Sequence, residues 1–317
     1  MSAFVLLLTG FAALVIGGEL LVRGAVAAAK TLGLSPMVIG LTLVGFGTSS
    51  PELVTSLQAA LSGSPGIAIG NVVGSNIVNV LLILGVAALL APVLVDRAAF
   101  RRDGTVMAAA TVLCLGVVLV GDIGRLAGLV FVAALAGYLA FTLISERRSG
   151  GSAAGAVYEG EAALVGIRER PLWASLGTAL VGLGVTILGA KLLVSGAVTL
   201  AQAAGISEAV IGLTIVAVGT SMPELVTSVI AVRKGEGALA FGNVLGSNIF
   251  NILGILGVTA LVQPMVVPEE IVGFDIWVLC AVSALLLLLA RTGWRIDRRE
   301  GAVMLACYVA YTAYLLV

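Results

Sequence analysis

Glu52 and Glu224 each lie inside a long apolar run, where charge has no ordinary use, and each ends the same short string. The strings are Gly47-Thr48-Ser49-Ser50-Pro51-Glu52 and Gly219-Thr220-Ser221-Met222-Pro223-Glu224, and neither holds a basic residue. On a helix, Thr48 and Ser49 stand four and three residues before Glu52 and share its face, as Thr220 and Ser221 do with Glu224. Proline at 51 and 223 donates no amide hydrogen. It frees the carbonyl of Gly47 or Gly219 and breaks each helix near its middle. In the next apolar run of each half, Ser75 with Asn79 and Ser247 with Asn251 form i,i+4 pairs that add a hydroxyl and an amide on one face.

These donors are carboxylate, hydroxyl, amide and backbone carbonyl. The chain has no histidine, and its cysteines, Cys114, Cys280 and Cys307, all fall in apolar stretches. An all-oxygen set selects hard ions, Ca²⁺, Na⁺ or Mg²⁺, over zinc or copper, and Mg²⁺ fits less well because it sheds water reluctantly. Two glutamates supply a charge that one Ca²⁺ neutralises and two Na⁺ match, so mutually exclusive occupancy would give exchange. Blander readings stand beside this one. The glutamates could pair structurally with Arg23 or Lys191, and Gly70, Gly74, Gly242 and Gly246 could be packing surface. Asn71, Asn76, Asn243 and Asn248 could be helix-to-helix hydrogen-bonders, ranking below Asn79 and Asn251 as ligands. Imidazole ligands and Ser-His or Cys-His nucleophile pairs are impossible without histidine, so the chain is read as a non-enzyme that needs no cofactor.

The elements that position these groups follow from composition. Of 317 residues, 60% are hydrophobic and 11% charged, against roughly 25% charged in an ordinary soluble domain. The chain is therefore an all-α polytopic membrane protein with the lipid bilayer as its partner. Apolar segments are expected at about 3–29, 36–61, 66–90, 104–121, 125–145, 172–200, 207–232, 238–262, 272–290 and 300–317, which makes ten transmembrane helices. Connections after the odd-numbered spans carry 14 of the 17 Lys and Arg residues, whereas the opposite side holds only Arg125. That bias puts both termini outside and the central linker in the cytoplasm, with the chain in the cell membrane. A formal charge of zero with scattered basic residues indicates no nucleic-acid partner, and nothing in the site requires an oligomer.

Residues 17–79 align without a gap on 189–251, with 36 identities in 63 positions. Residues 1–145 form a first five-helix repeat, 146–171 a cytoplasmic linker, and 172–317 the second repeat. Five is odd, so the second copy enters the membrane from the opposite side. Inverted repeats with matching helix breaks are the architecture of secondary transporters, whose site lies at the midplane between the halves.

On these residues the chain resembles the sodium/calcium exchangers and their prokaryotic relatives in the cation/calcium antiporter superfamily. The resemblance rests on Gly-Thr-Ser-x-Pro-Glu and Gly-Ser-Asn motifs present twice, at 47–52 with 74–76 and at 219–224 with 246–248. It implies that Glu52 and Glu224 bridge a central Ca²⁺. It further implies flanking Na⁺ sites made by Thr48, Ser49, Thr220, Ser221, Ser75 and Ser247 with the carbonyls of Gly45 and Ala217. The first and sixth helices become a long gating pair that slides across the core. Many relatives carry an aspartate at one of the positions of Asn79 and Asn251, whereas this chain has asparagine at both, which argues against potassium co-transport. The expected function is antiport of Na⁺ for Ca²⁺ by alternating access. A H⁺-driven cation antiporter and a cation channel are the alternatives.

Overall fold

The computed structural model describes residues 2–32, 48–148 and 171–316. Eleven helices account for most of them: α1 (Ala3–Thr31), α2 (Ser50–Leu61), α3 (Pro65–Leu90), α4 (Arg97–Val120), α5 (Arg125–Arg148), α6 (Leu172–Ala204), α7 (Glu208–Thr220), α8 (Met222–Arg233), α9 (Gly237–Val262), α10 (Ile271–Arg291) and α11 (Arg298–Leu315). Seven of these, α1, α3, α4, α5, α6, α9 and α10, are long and apolar enough to cross a bilayer. The pair α7 and α8, bent by 46° at their junction, makes an eighth. The molecule is a multi-pass, all-α membrane protein. Of the apolar run expected at 36–61, the part through Gly47 lies outside the described residues, and so do 149–170 of the linker. The run expected at 300–317 is α11, whose first turn carries Arg298, Arg299 and Glu300.

Burial ranks the helices. The most apolar stretches of α3 and α9 are 83% buried, against 28–44% in the other five long helices. Large apolar side chains such as Leu8, Leu126, Leu180 and Leu288 face outward, while Glu52, Asn71, Ser75, Asn79, Glu224, Ser247, Asn248 and Asn251 are buried. Apolar outside and polar inside is what a bilayer solvent requires.

The two longest helices, α1 and α6, have 29 and 33 residues. At 1.5 Å per residue they reach ~44 and ~50 Å, beyond a hydrocarbon core of ~30 Å. They run together along a seam of glycines spaced by seven, Gly10, Gly17 and Gly24 on one helix and Gly182, Gly189 and Gly196 on the other. The approach is backbone to backbone: a Cβ on Gly17 would sit 2.5 Å from the Thr186 amide nitrogen.

The positively charged connection expected before the fourth span is partly helix. Arg97, Arg101 and Arg102 form the opening turns of α4, because Asp96 caps it by accepting from the Ala98 and Ala99 amides at 3.0 and 2.8 Å. Asp103 is then buried, bonded to Arg102 at 2.7 Å and to the Tyr138 hydroxyl at 3.0 Å. Gly121, at φ 85°, closes the other end of α4 in the left-handed region open to glycine.

Two short antiparallel ladders tie the ends of the bundle. β1 (Val93–Leu94) pairs with β4 (Arg295–Ile296), and β2 (Asp122–Ile123) pairs with β3 (Met265–Val266). They flank opposite ends of α4, a helix of 24 residues and so ~36 Å long. Val93 stands 172 residues before Met265, the spacing of the sequence repeat, and it opens β1 as Met265 opens β3. π-helical turns recur at the same interval, over Val78–Leu84 in α3 and Phe250–Leu256 in α9.

Candidate cation site

The site is built at two helix breaks. At the α7–α8 junction Ser221 adopts φ −82°, ψ 8°, and Pro223 follows in the first turn of α8. Ser49 has nearly the same backbone, φ −86°, ψ 6°, with Pro51 in the first turn of α2. Each break leaves a glutamate in the first helical turn, where the amide dipoles favour an anion.

The two glutamates are held crosswise. Ser221 donates to Glu52 Oε1 at 3.1 Å, and Ser49 donates to Glu224 Oε1 at 3.2 Å. Helix-face spacing grouped each serine with the glutamate of its own half. The structure exchanges them, because both serines occupy the break itself, where the helical i,i+3 relation does not hold, and the two breaks face each other. The other oxygen of each carboxylate, Glu52 Oε2 and Glu224 Oε2, is buried with no hydrogen-bond partner. Among the described residues the only ion pairs are Arg23 with Glu19 and Arg102 with Asp103. Arg23 is thus spent on an exposed neighbour and Lys191 is exposed, so neither neutralises the glutamates.

Asn71 fastens the first break to α3. Its Nδ2 donates to Ser56 Oγ at 2.9 Å and to the Glu52 carbonyl at 3.3 Å, while its Oδ1 accepts from Thr220 at 3.0 Å and from Ser75 at 3.5 Å. Asn243 repeats the first two bonds on Ser228 and the Glu224 carbonyl, at 3.0 and 3.4 Å. Asn71 and Asn243 thus tie the two breaks to α3 and α9. Thr220 and Ser75 meet through Asn71. The Ala217 carbonyl accepts the Ser221 amide at 3.1 Å and the Thr220 hydroxyl at 3.3 Å.

Asn79 and Asn251 each stand second in a π-helical segment, a distortion frequent at functional sites. Both have a buried Oδ1 without a partner. Ser247 is buried in α9 one turn before Asn251. Thr48 adjoins the first break and has interactions of its own, whereas Gly45 lies outside the described residues. The breaks therefore gather two carboxylates, hydroxyls and carbonyls, with Glu52 Oε2 and Glu224 Oε2 unpartnered, and α3 and α9 each add a buried, unpartnered amide oxygen on Asn79 and Asn251. Such a cluster is costly when empty and suited to a desolvated hard cation.

Comparison with known proteins agrees with this chemistry. A family model described as sodium/calcium exchanger protein matches residues 2–144 and 174–317. The chain belongs to the sodium/calcium exchanger family. Its relatives include the sodium/calcium exchanger MaX1 of Methanosarcina acetivorans, 38% identical over 98% of each chain, and the putative antiporter CaxA of Alkalimonas amylolytica, 38% identical over 99% of this chain and 98% of the other. The inner membrane protein YrbG of Escherichia coli is 35% identical over 99% and 96%. Among solved structures, the sodium-calcium exchanger NCX_Mj soaked with Na⁺ and Sr²⁺ superposes with a TM-score of 0.66 at 33% identity, covering 98% of this chain and 97% of that one.

Two features of this exchanger were not read from its motifs. Ser56 and Ser228 support the clamping asparagines, and their presence in both repeats was the available signal. The glycine seam of α1 and α6 was legible as a seven-residue spacing in both halves. Gly70 and Gly74 are packing surface: a Cβ at Gly74 would meet the Leu213 carbonyl oxygen of α7 at 2.6 Å.

Proposed function

We propose that the chain exchanges Na⁺ for Ca²⁺ by alternating access at the paired breaks. Glu52 and Glu224 carry Ca²⁺ between them. Thr48, Ser49, Thr220, Ser221, Ser75 and Ser247, with Asn79 and Asn251 and the carbonyls of Gly45 and Ala217, complete the coordination and provide the Na⁺ subsites. The observation that carries this reading is the pair of buried, unpartnered Oε2 atoms, which no basic side chain among the described residues pairs with. A transported cation supplies the missing charge. Only one occupant set neutralises the pair at a time, which couples the two fluxes. The seam of α1 and α6 suits a sliding gate, because its glycines bring the two backbones close, Gly17 to the Thr186 amide and Gly189 to the Leu14 amide.

Purified protein in liposomes tests this by Ca²⁺ uptake with Na⁺ gradient, pH gradient and voltage imposed separately. An outward Na⁺ gradient should drive electrogenic uptake. Equal uptake under a pH gradient in Na⁺-free medium would assign the chain to proton-driven antiport instead.

The reading includes ten spans in two inverted repeats, 1–145 and 172–317, joined by a cytoplasmic linker. The eight spans described above become ten when α11 crosses and α2 completes a span with the chain before it. The ladders support the alternation of sides: β1 and β4 lie in connections after odd-numbered spans, β2 and β3 in connections after even-numbered ones. Single cysteines at Ser2 and Gly151, in a background lacking Cys114, Cys280 and Cys307, should label from opposite faces. Labelling from the same face would overturn the topology.

A further inference from the structure

Asn76 and Asn248 occupy the same place in the two repeats, yet they bond differently. Asn248, on α9, reaches across to α3. Its Nδ2 donates to the Asn76 carbonyl at 3.3 Å, and its Oδ1 accepts from Asn79 Nδ2 at 3.0 Å. Asn76 turns back on its own helix, donating to the Val72 carbonyl at 2.7 Å, and its Oδ1 is buried without a partner.

The bonding fixes which way each amide faces. A backbone carbonyl can only accept, so the end of Asn248 beside Asn76 must be its NH₂. Its other end is then the oxygen, and that oxygen demands the NH₂ of Asn79. The Asn79 oxygen is left over, buried and unpartnered. We propose that Asn248 is a positioning residue: it orients Asn79 so that Oδ1, not Nδ2, is offered to the transported cation, and it makes a neutral amide obligatory at 79. The inference rests on the antiport reading and adds a rule for the third and fourth ligands. An aspartate at 79 would set a carboxylate oxygen against Asn248 Oδ1. Asn248 cannot turn round to relieve this without setting that oxygen against the Asn76 carbonyl. Position 251 escapes the constraint, because Asn76 bonds to Val72 instead of reaching across.

The test is the KM for Ca²⁺ in Na⁺-driven liposome uptake. Asn248→Leu should raise it about tenfold, as loss of a ligand's orienting partner commonly does. Asn79→Ala should raise it comparably, and the double variant should be no worse than the poorer single. Asn79→Asp should also impair binding. In that background Asn248→Leu should lower KM, since it removes the opposed oxygen. Asn251→Asp should be tolerated better than Asn79→Asp. If Asn248→Leu raises KM equally whether 79 is Asn or Asp, Asn248 merely packs and the proposal fails. Should the leucine variant not fold, equal effects of aspartate at 79 and at 251 overturn it on their own. Absence of Na⁺-driven uptake by the unmodified protein would instead defeat the antiport reading on which this one stands.

Discussion

Buried carboxylates occur in two settings in this molecule, and they are kept differently. At the periphery, Asp103 is held by Arg102 and Tyr138, and its counterpart Asp275 accepts from Tyr311 at 2.8 Å. At the centre, Glu52 and Glu224 each receive one serine hydroxyl and keep a second oxygen with no partner. An intramembrane carboxylate costs about 2.5–3.5 kcal/mol on insertion scales, so both kinds need a reason to persist. The peripheral pair is provided for by the fold itself. The central pair is not, and that difference is the ground for proposing the glutamates as the cation ligands.

The largest contrast follows directly. Glu52→Ala or Glu224→Ala should abolish Ca²⁺ transport while the purified protein keeps its melting temperature, because the alanine removes an acid that the fold does not satisfy. Asp103→Ala should do the reverse. It takes from Arg102 the carboxylate it binds at 2.7 Å and should lower the melting temperature, yet whatever protein folds should transport with a normal KM. Transport surviving in a glutamate variant would make that glutamate structural, like Asp103.

That contrast was only half legible in the sequence. The repeated Pro-Glu strings inside apolar runs mark the central pair, because composition alone makes such glutamates anomalous. The crosswise partnership of Ser49 with Glu224 was not visible, since local spacing ties each serine to its own half and only the meeting of two breaks exchanges them. Asp275 stands inside the run expected at 272–290 but in no repeated Pro-Glu string, and Asp103 was missed for the opposite reason. Asp103 follows two arginines and looks like part of a charged connection, until the Asp96 cap starts the helix early and turns it inward. The helix types were read correctly from periodicity, but burial rank was not, because α3 and α9 are no more apolar than the helices that face lipid.

The glycine seam gives a second way to separate holding an ion from moving it. Gly17→Leu forces a side chain into the Thr186 backbone, where even a Cβ would lie at 2.5 Å, and should keep α1 from gliding on α6. Turnover should fall about tenfold or more, as expected when a conformational step is obstructed, with equilibrium Ca²⁺ binding nearly unchanged. Parallel loss of binding and turnover would show that the seam shapes the site rather than the motion. Within the site, Ser75→Ala or Ser247→Ala should raise the Na⁺ concentration for half-maximal exchange about fivefold, the equivalent of ~1 kcal/mol for a neutral donor. The KM for Ca²⁺ should move less, because the two carboxylates dominate a divalent ion.

The smallest effect lies inside the peripheral pair and tests whether its carboxylates are truly satisfied. Asp103 has an arginine and a tyrosine, whereas the residue corresponding to Arg102 in the second half is Phe274, and no basic side chain among the described residues pairs with Asp275. Removing one hydroxyl should therefore be felt unequally. Tyr138→Phe leaves Asp103 bound to Arg102 and should cost about 1 kcal/mol or less. Tyr311→Phe takes the side-chain donor from a buried carboxylate and should cost about 1–3 kcal/mol, read as a larger fall in melting temperature in detergent. Neither should alter the KM for Ca²⁺. Equal destabilisation by the two would mean that Asp275 is held by groups other than Tyr311. A transport defect confined to Tyr311→Phe would place Asp275 among the groups that serve the ion, and the division between satisfied and waiting carboxylates would then have to be redrawn.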